Sequence, residues 1–236
     1  LQGDAAGNRR IEHMIEQNIK ALKEQIPATN KFGEKVTLVA AVKMQTPEDI
    51  NAAIAAGITD IGDNHVQEFK DKYDKIVGNP TRHFIGHLQT NKVKYLIGKV
   101  DLYHSVDRMA LAEELSKRSE NAKVVSNILL QVNIGNEESK GGFAVDEIVA
   151  AYEEIKAMPA LRIKGLMAML PNIEDKGKLE ELATIMRIKY NLIKAEDKNF
   201  EYLSMGMSGD WQICIEAGSN MIRLGTAIFG ARNYNK

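Results

Sequence analysis

The stretch VTLVAAVKMQTPEDI, residues 36–50, sets the pattern for the whole chain. It opens with a short, β-branched, apolar run, VTLVAAVK, the composition of a buried strand. A helix start follows. Thr46 can cap it, Pro47 suits its first position, and Glu48 and Asp49 place two carboxylates in its first turn. Gly57 closes that helix, and ITDIG, residues 58–62, begins the next strand. Lys43 stands at the end of the apolar run, where a charged amine needs a partner or a task.

The same beat continues to the C-terminus. Strands are expected at 36–43, 58–62, 82–88, 101–106, 127–133, 162–169, 202–207 and 221–229, and helices at 47–56, 64–77, 90–98, 108–121, 145–157, 177–195 and 209–217. A leading helix carries Ile11, Met14, Ile15, Ile19, Leu22 and Ile26 at helical spacing, with Pro27 at its end. Short strands joined by helices imply parallel pairing and right-handed crossovers. Eight such units in 236 residues fit a closed (β/α)8 TIM barrel with an extra N-terminal helix, a single domain over 1–236. A doubly wound open sheet is the alternative; no G-x-G-x-x-G follows the first strand, which weakens its dinucleotide-binding form. Residues 1–8 are expected to be disordered or a remnant of processing.

Composition narrows the function classes. With 31 basic and 32 acidic residues the net charge is -1, which argues against a broad nucleic-acid surface. The single cysteine, Cys214, allows no internal disulfide. No apolar run is long enough to span a membrane, and the N-terminus lacks the apolar stretch of a signal peptide. A soluble cytoplasmic protein is expected.

In such barrels function sits at the C-terminal strand ends. Lys43, Asn64, His87, Gln89, Asp107, Asn133, Ser208 and the Gly225–Thr226 pair all fall there. SMGMSGD (204–210) and MIRLGTAIFGAR (221–232) occupy the loops after strands 7 and 8, the recurrent phosphate site of the architecture. Ser208 and Thr226 supply hydroxyls, while Gly209 and Gly225 let a ligand approach the backbone. Each motif alone is read as readily as a turn or a helix cap; together they point to an anion site. Asp210 then has to turn away from the anion.

Lys43 is either a lysine snorkelling to solvent or an amine held in a partly desolvated barrel mouth, where it can form an imine with a carbonyl compound. Opposite a phosphate site, such an imine suits a phosphorylated sugar or pyridoxal phosphate. Alternation puts Arg223 on the same face as Gly225. Arg223 then meets a pyridine nitrogen, to which it can only donate, or pairs with Asp63 or another acid in the barrel. Chemistry alone leaves both readings open. His83 and His87 read as satisfied histidines rather than metal ligands, Lys140 as an exposed loop residue within reach of an anion at the rim, and GLMAMLP (165–171) as core strand.

LVAAVK, DIGDNHVQE, RHFIGHLQTNK, HSVDR, LLQVNIGNEESKGGF, IKGLMAM, LSMGMSGDW and AGSNMIRLGTAIFGAR together carry a resemblance that runs roughly from residue 9 to 233. The sequence resembles the pyridoxal phosphate homeostasis protein family (YggS/PROSC), related to the N-terminal domain of alanine racemase. The resemblance implies that Lys43 holds pyridoxal 5'-phosphate as an internal imine. It implies that Ser208, Gly225 and Thr226 bind the phosphate, that Arg223 faces the pyridine nitrogen, and that Asn64 lies beside the ring. It further implies a cofactor-binding regulator of pyridoxal-phosphate and amino-acid homeostasis without established catalysis. Asp63 stands where the family usually has Glu, and Val42 and Met44 where it usually has Ser and Thr, a change that bears on how tightly the imine is held.

A pyridoxal-phosphate racemase, or another lysine-imine barrel enzyme, is the competing class. Racemisation needs acid/base groups on both faces of the substrate carbon. In alanine racemases a second, β-rich domain brings one of them, and the sequence stops soon after strand 8. A non-catalytic, monomeric binder is therefore expected, with apo forms of pyridoxal-phosphate enzymes as its partners and no nucleic acid or membrane among them.

Overall fold

The computed structural model describes residues 2–137 and 140–230. Eight parallel strands close into a barrel in the order β1 to β8, each bonded to its sequence neighbours and β8 to β1. The strands are β1 Thr37–Ala41, β2 Asp60–Asp63, β3 Thr81–Phe84, β4 Leu102–Val106, β5 Ser126–Val132, β6 Leu161–Ala168, β7 Tyr202–Ser204 and β8 Met221–Leu224. The helices are α1 Gln2–Gln25, α2 Pro47–Ala55, α3 Val66–Lys72, α4 Met109–Asn121, α5 Ile148–Lys156, α6 Lys176–Lys194, α7 Trp211–Ala217 and α8 Thr226–Phe229. The first turns of α1 occupy residues expected from sequence to be disordered or a remnant of processing.

The helix signals act as read. Thr46 Oγ1 accepts the Asp49 N–H at 3.2 Å, and Pro47 opens α2. Strand alternation sorts the side chains. Ala40, Val42, Ile61, Ile222 and Leu224 point outward and pack with Ile15, Ile19 and Leu22 of α1 and Ile50 of α2. Val39, Leu102, Leu129, Met167 and Met221 meet inside the barrel. A larger layer runs under α4, α5 and α6, around Tyr103, Tyr152, Tyr190 and Phe200. Burying each such side chain contributes roughly 1.5–3 kcal/mol.

Three expected elements differ. Most strands stop short of their apolar runs, because Ile85, Leu88 and Met205 bury themselves from loops rather than from the ladder. Within 90–98 the chain forms a 3₁₀ helix, Thr90–Tyr95, instead of an α-helix. The run expected as one strand over 221–229 breaks at Gly225, and Thr226–Phe229 is helical. Ile228 and Phe229 bury against the α1 layer, and a short apolar run does not by itself distinguish helix from strand.

Candidate functional site

Lys43 lies two residues beyond β1, in a turn. The turn needs Met44 in the left-handed region, at φ 61°, an uncommon state for a non-glycine residue. It is tied down from α3: the Met44 N–H donates to Glu68 Oε2 at 2.7 Å, Lys72 pairs with the same oxygen at 2.7 Å, and Lys72 Nζ donates to the Val42 carbonyl at 3.2 Å. Val42 is buried in the outer layer, and Met44 is exposed. Val42 and Met44, two of the three departures from the family pattern, therefore flank the lysine rather than line the cavity.

The half-buried Lys43 opens into a cavity of about 340 Å³ at the C-terminal mouth of the barrel. Asn64, Ser208, Gly209, Arg223, Gly225 and Thr226 line it as well, so every cofactor-binding residue expected from the sequence contributes to one space. Ile85, Met169 and Met207 give it apolar walls, and Ala41, Gln45 and Gly230 complete it. Sequence reasoning missed these wall residues. Met169 was within reach, since alternation from Met167 inside the barrel turns it inward.

At one end Thr226 Oγ1 donates to Ser208 Oγ at 3.0 Å. Gly209 meets no atom within 4 Å of where a Cβ would sit, so the loop is open there. Asp210 turns away as required: its Oδ1 accepts the Met207 N–H at 2.6 Å. Asn64 Oδ1 is buried without a hydrogen-bond partner, an orphan acceptor beside the cavity. Its backbone is fixed by close approach to Gly86, where a Cβ would lie 2.0 Å from the Asn64 carbonyl oxygen.

At the other end Arg223 is almost completely buried and has no carboxylate in contact among the described residues. Nη1 donates to Ser204 Oγ at 2.5 Å and Nη2 to the Ala168 carbonyl at 3.1 Å. Burial lowers the guanidinium's pKa to about 10, with Cys214 and Asp210 pulling it back up. It still remains a donor near neutrality. The alternative partner, Asp63, points into the outer layer by strand parity, and burial raises its carboxyl to about 6.

Other rim residues stay outside this cavity. His87 Nδ1 lies 3.1 Å from Asp107 Oδ2, and Asp107 also pairs with Arg108 at 2.5 Å. Asn133 binds the carbonyls of Glu137 and Lys140 within its own loop. Lys140, expected to be exposed, is partly buried and pairs with Glu137 at 2.9 Å. His83 lies inside the barrel rather than at the rim. Among the described residues no group of three or more His, Cys, Asp or Glu is placed to hold a metal ion, and no helix is long and apolar enough to cross a membrane.

A closed parallel barrel with Lys43, Ser208 and Thr226 lining one mouth cavity fits the alanine racemase N-terminal domain class, and that family model matches residues 13–233. Pyridoxal phosphate homeostasis proteins of Aquifex aeolicus and Escherichia coli K12 are 40% and 34% identical, over 84% and 94% of this chain and 87% and 98% of theirs. The chain belongs to the pyridoxal phosphate homeostasis protein family. PipY of Synechococcus elongatus, solved with pyridoxal phosphate bound, superposes with a TM-score of 0.81 at 28% identity, over 92% of this chain and 100% of that one. An alanine racemase of Clostridium difficile superposes at 0.78 with 10% identity, over 94% of this chain and 60% of that one, a likeness of fold alone.

Proposed function

We propose that this chain binds pyridoxal 5'-phosphate in the Lys43 cavity and serves in pyridoxal-phosphate homeostasis rather than as an enzyme. The residues fit the group. The open loop at Gly209 and the Ser208–Thr226 hydroxyl pair suit a phosphate, and the orphan Asn64 acceptor and the apolar wall of Ile85 and Met169 suit a polar, flat ring. Bound there, the cofactor supplies an aldehyde that an amine captures reversibly and a phosphate that serves as a handle.

Each side chain then has a task. The Lys43 amine would be the nucleophile toward the cofactor's aldehyde, and the Glu68–Lys72 pair fixes the turn that presents it. Ser208, Gly225 and Thr226 donate to the phosphate. Arg223 would face the ring nitrogen as a donor that keeps its own proton. Asn64 lies beside the ring.

The observation that carries the non-catalytic reading is the cavity lining. Among the described residues Lys43 and Arg223 are its only titratable groups. A racemase needs proton-transfer groups on two faces, and Arg223 keeps its proton. A monomeric cytoplasmic carrier that hands cofactor to apo-enzymes follows from this reading. Weak racemase-type turnover through Lys43 alone is its competitor.

The test is the visible spectrum of the protein with pyridoxal phosphate, for wild type and Lys43→Ala, followed by borohydride reduction and peptide mapping. A yellow imine band in wild type, lost in the variant and mapped to Lys43, is expected. No band and no label at Lys43 returns the site to a phosphorylated metabolite with Lys43 as a simple charge.

A further inference from the structure

The buried Arg223 does not end in the cavity wall. Behind it a single file of four polar side chains crosses the barrel, one from each of four strands. Ser204 Oγ, which accepts from Arg223, lies 3.1 Å from His104 Nδ1. His104 Nε2 lies 2.9 Å from His83 Nδ1, and His83 Nε2 lies 2.9 Å from Asp60 Oδ1. Ser204, His104 and His83 are buried, and Asp60 is 15% exposed. Asp60 borders a second cavity of about 190 Å³ at the opposite, N-terminal mouth, lined also by Thr37, Thr81, Asp101, Asn127 and Lys164.

With both imidazoles neutral, hydrogen-bond bookkeeping fixes the direction of every link. The Asp60 carboxylate can only accept, so His83 donates to it from Nε2 and accepts at Nδ1, while Arg223 can only donate, so Ser204 Oγ accepts from it and gives its own proton to the remaining acceptor, His104 Nδ1. His104 is then the Nε2–H tautomer and donates to His83 Nδ1. His83 in turn is the Nε2–H tautomer and donates to the Asp60 carboxylate. All the protons then point from the guanidinium to the carboxylate. With neutral rings the file cannot be reversed, because the Asp60 carboxylate cannot donate. A purely structural interior has cheaper solutions: the neighbouring inward positions are Val39, Leu102, Leu129, Met167 and Met221, and apolar replacements of buried polar sets are often neutral or stabilising.

We propose that Asp60, His83, His104 and Ser204 form a through-barrel relay that positions Arg223 and couples the charge at the N-terminal mouth to the ring subsite. Asp60 is the distant counter-charge of Arg223, and its carboxylate anchors the proton order of both histidines. The relay rests on the reading of the site as a pyridoxal-phosphate pocket only for its effect on the ring. The groups that face its links are Thr59, Lys35 and His83 at Asp60, Asp60 and His104 at His83, His83 and Arg223 at His104, and Cys214 and Asp210 at Arg223. Asp101, Lys164 and Tyr202 share the mouth.

Two measurements test it. In the protein without added cofactor, histidine ¹⁵N spectra at neutral pH are expected to show His83 and His104 both as Nε2–H tautomers. An Nδ1–H tautomer or an imidazolium at either residue overturns the relay. In the protein loaded with ring-¹⁵N pyridoxal phosphate, Asp60→Asn and His83→Leu are expected to move the ring-nitrogen signal and weaken binding by roughly fivefold, the worth of about one hydrogen bond. Thr81→Val, at the same mouth but outside the file, is expected to leave both unchanged. An unmoved ring signal in Asp60→Asn and His83→Leu overturns the coupling, and so does an equal shift in all three variants. If wild type takes up no cofactor, the pocket reading has failed, and the histidine spectra still decide the relay.

Discussion

Asp63→Asn is expected to stabilise the protein at neutral pH and to do so less as the pH falls. Asp63 is buried, its Oδ1 has no hydrogen-bond partner, and its carboxyl is raised from 3.8 to about 6. Burial is the main cause, with Glu68 adding to it and Lys72 and Arg82 opposing it. The sign follows from linkage. An acid whose pKa is higher in the folded state contributes most to stability below its unfolded pKa, and that contribution is lost as the pH rises through the folded value. The window is therefore about pH 4 to 6. A shift of roughly two units at 1.36 kcal/mol each sets an upper bound of about 3 kcal/mol for the penalty above pH 6. The near-isosteric amide removes the charge but keeps a buried polar group, which costs about 1–2 kcal/mol of that gain. A net stabilisation of about 1–2 kcal/mol at pH 7.5 is expected, vanishing or reversing at pH 4. Paired urea melts of wild type and variant at the two pH values read it directly. A difference that is the same at both would refute the assignment of Asp63 as an uncompensated buried acid.

Glu34 behaves in the opposite sense: burial would raise its pKa, but hydrogen bonds from Arg187, Lys194 and Asn30 outweigh it and hold the carboxyl down at about 2. Its stabilisation is present above about pH 4.5 and lost as the pH falls toward 2, so Glu34→Gln is expected to cost about 1–2 kcal/mol at pH 7, after allowance for solvent screening, and little in acid melts. Gly165→Ala places a Cβ 1.8 Å from the Tyr202 carbonyl oxygen, between β6 and β7. It is expected to lose about 3 kcal/mol in denaturant unfolding, the upper end for overpacking. The double variant Ser208→Ala/Thr226→Val removes the hydroxyl pair and is expected to weaken pyridoxal 5'-phosphate by roughly 30-fold, two hydrogen bonds' worth, while leaving pyridoxal itself unchanged in a fluorescence titration.

Local order was legible in the linear chain. The β-branched runs, the Thr46–Pro47 start and the alternation through Arg223 and Gly225 depend on neighbours a few residues apart, so they yielded the barrel, the lysine at a strand end and the shared inward face. Strand ends were less legible. Ile85, Leu88 and Met205 look the same in sequence whether they are buried from a ladder or from a loop, and Thr226–Phe229 reads as strand until α1 covers it. What Arg223 touches was decided only by closure of the barrel. That step set His104 against Ser204, one hundred residues away. It also put Asp60 beside His83 at the far mouth. Such contacts need the shear of eight strands to be fixed together, and no local pattern records it. The sequence alone determined which groups this protein could present, and the closed barrel decided which of them meet.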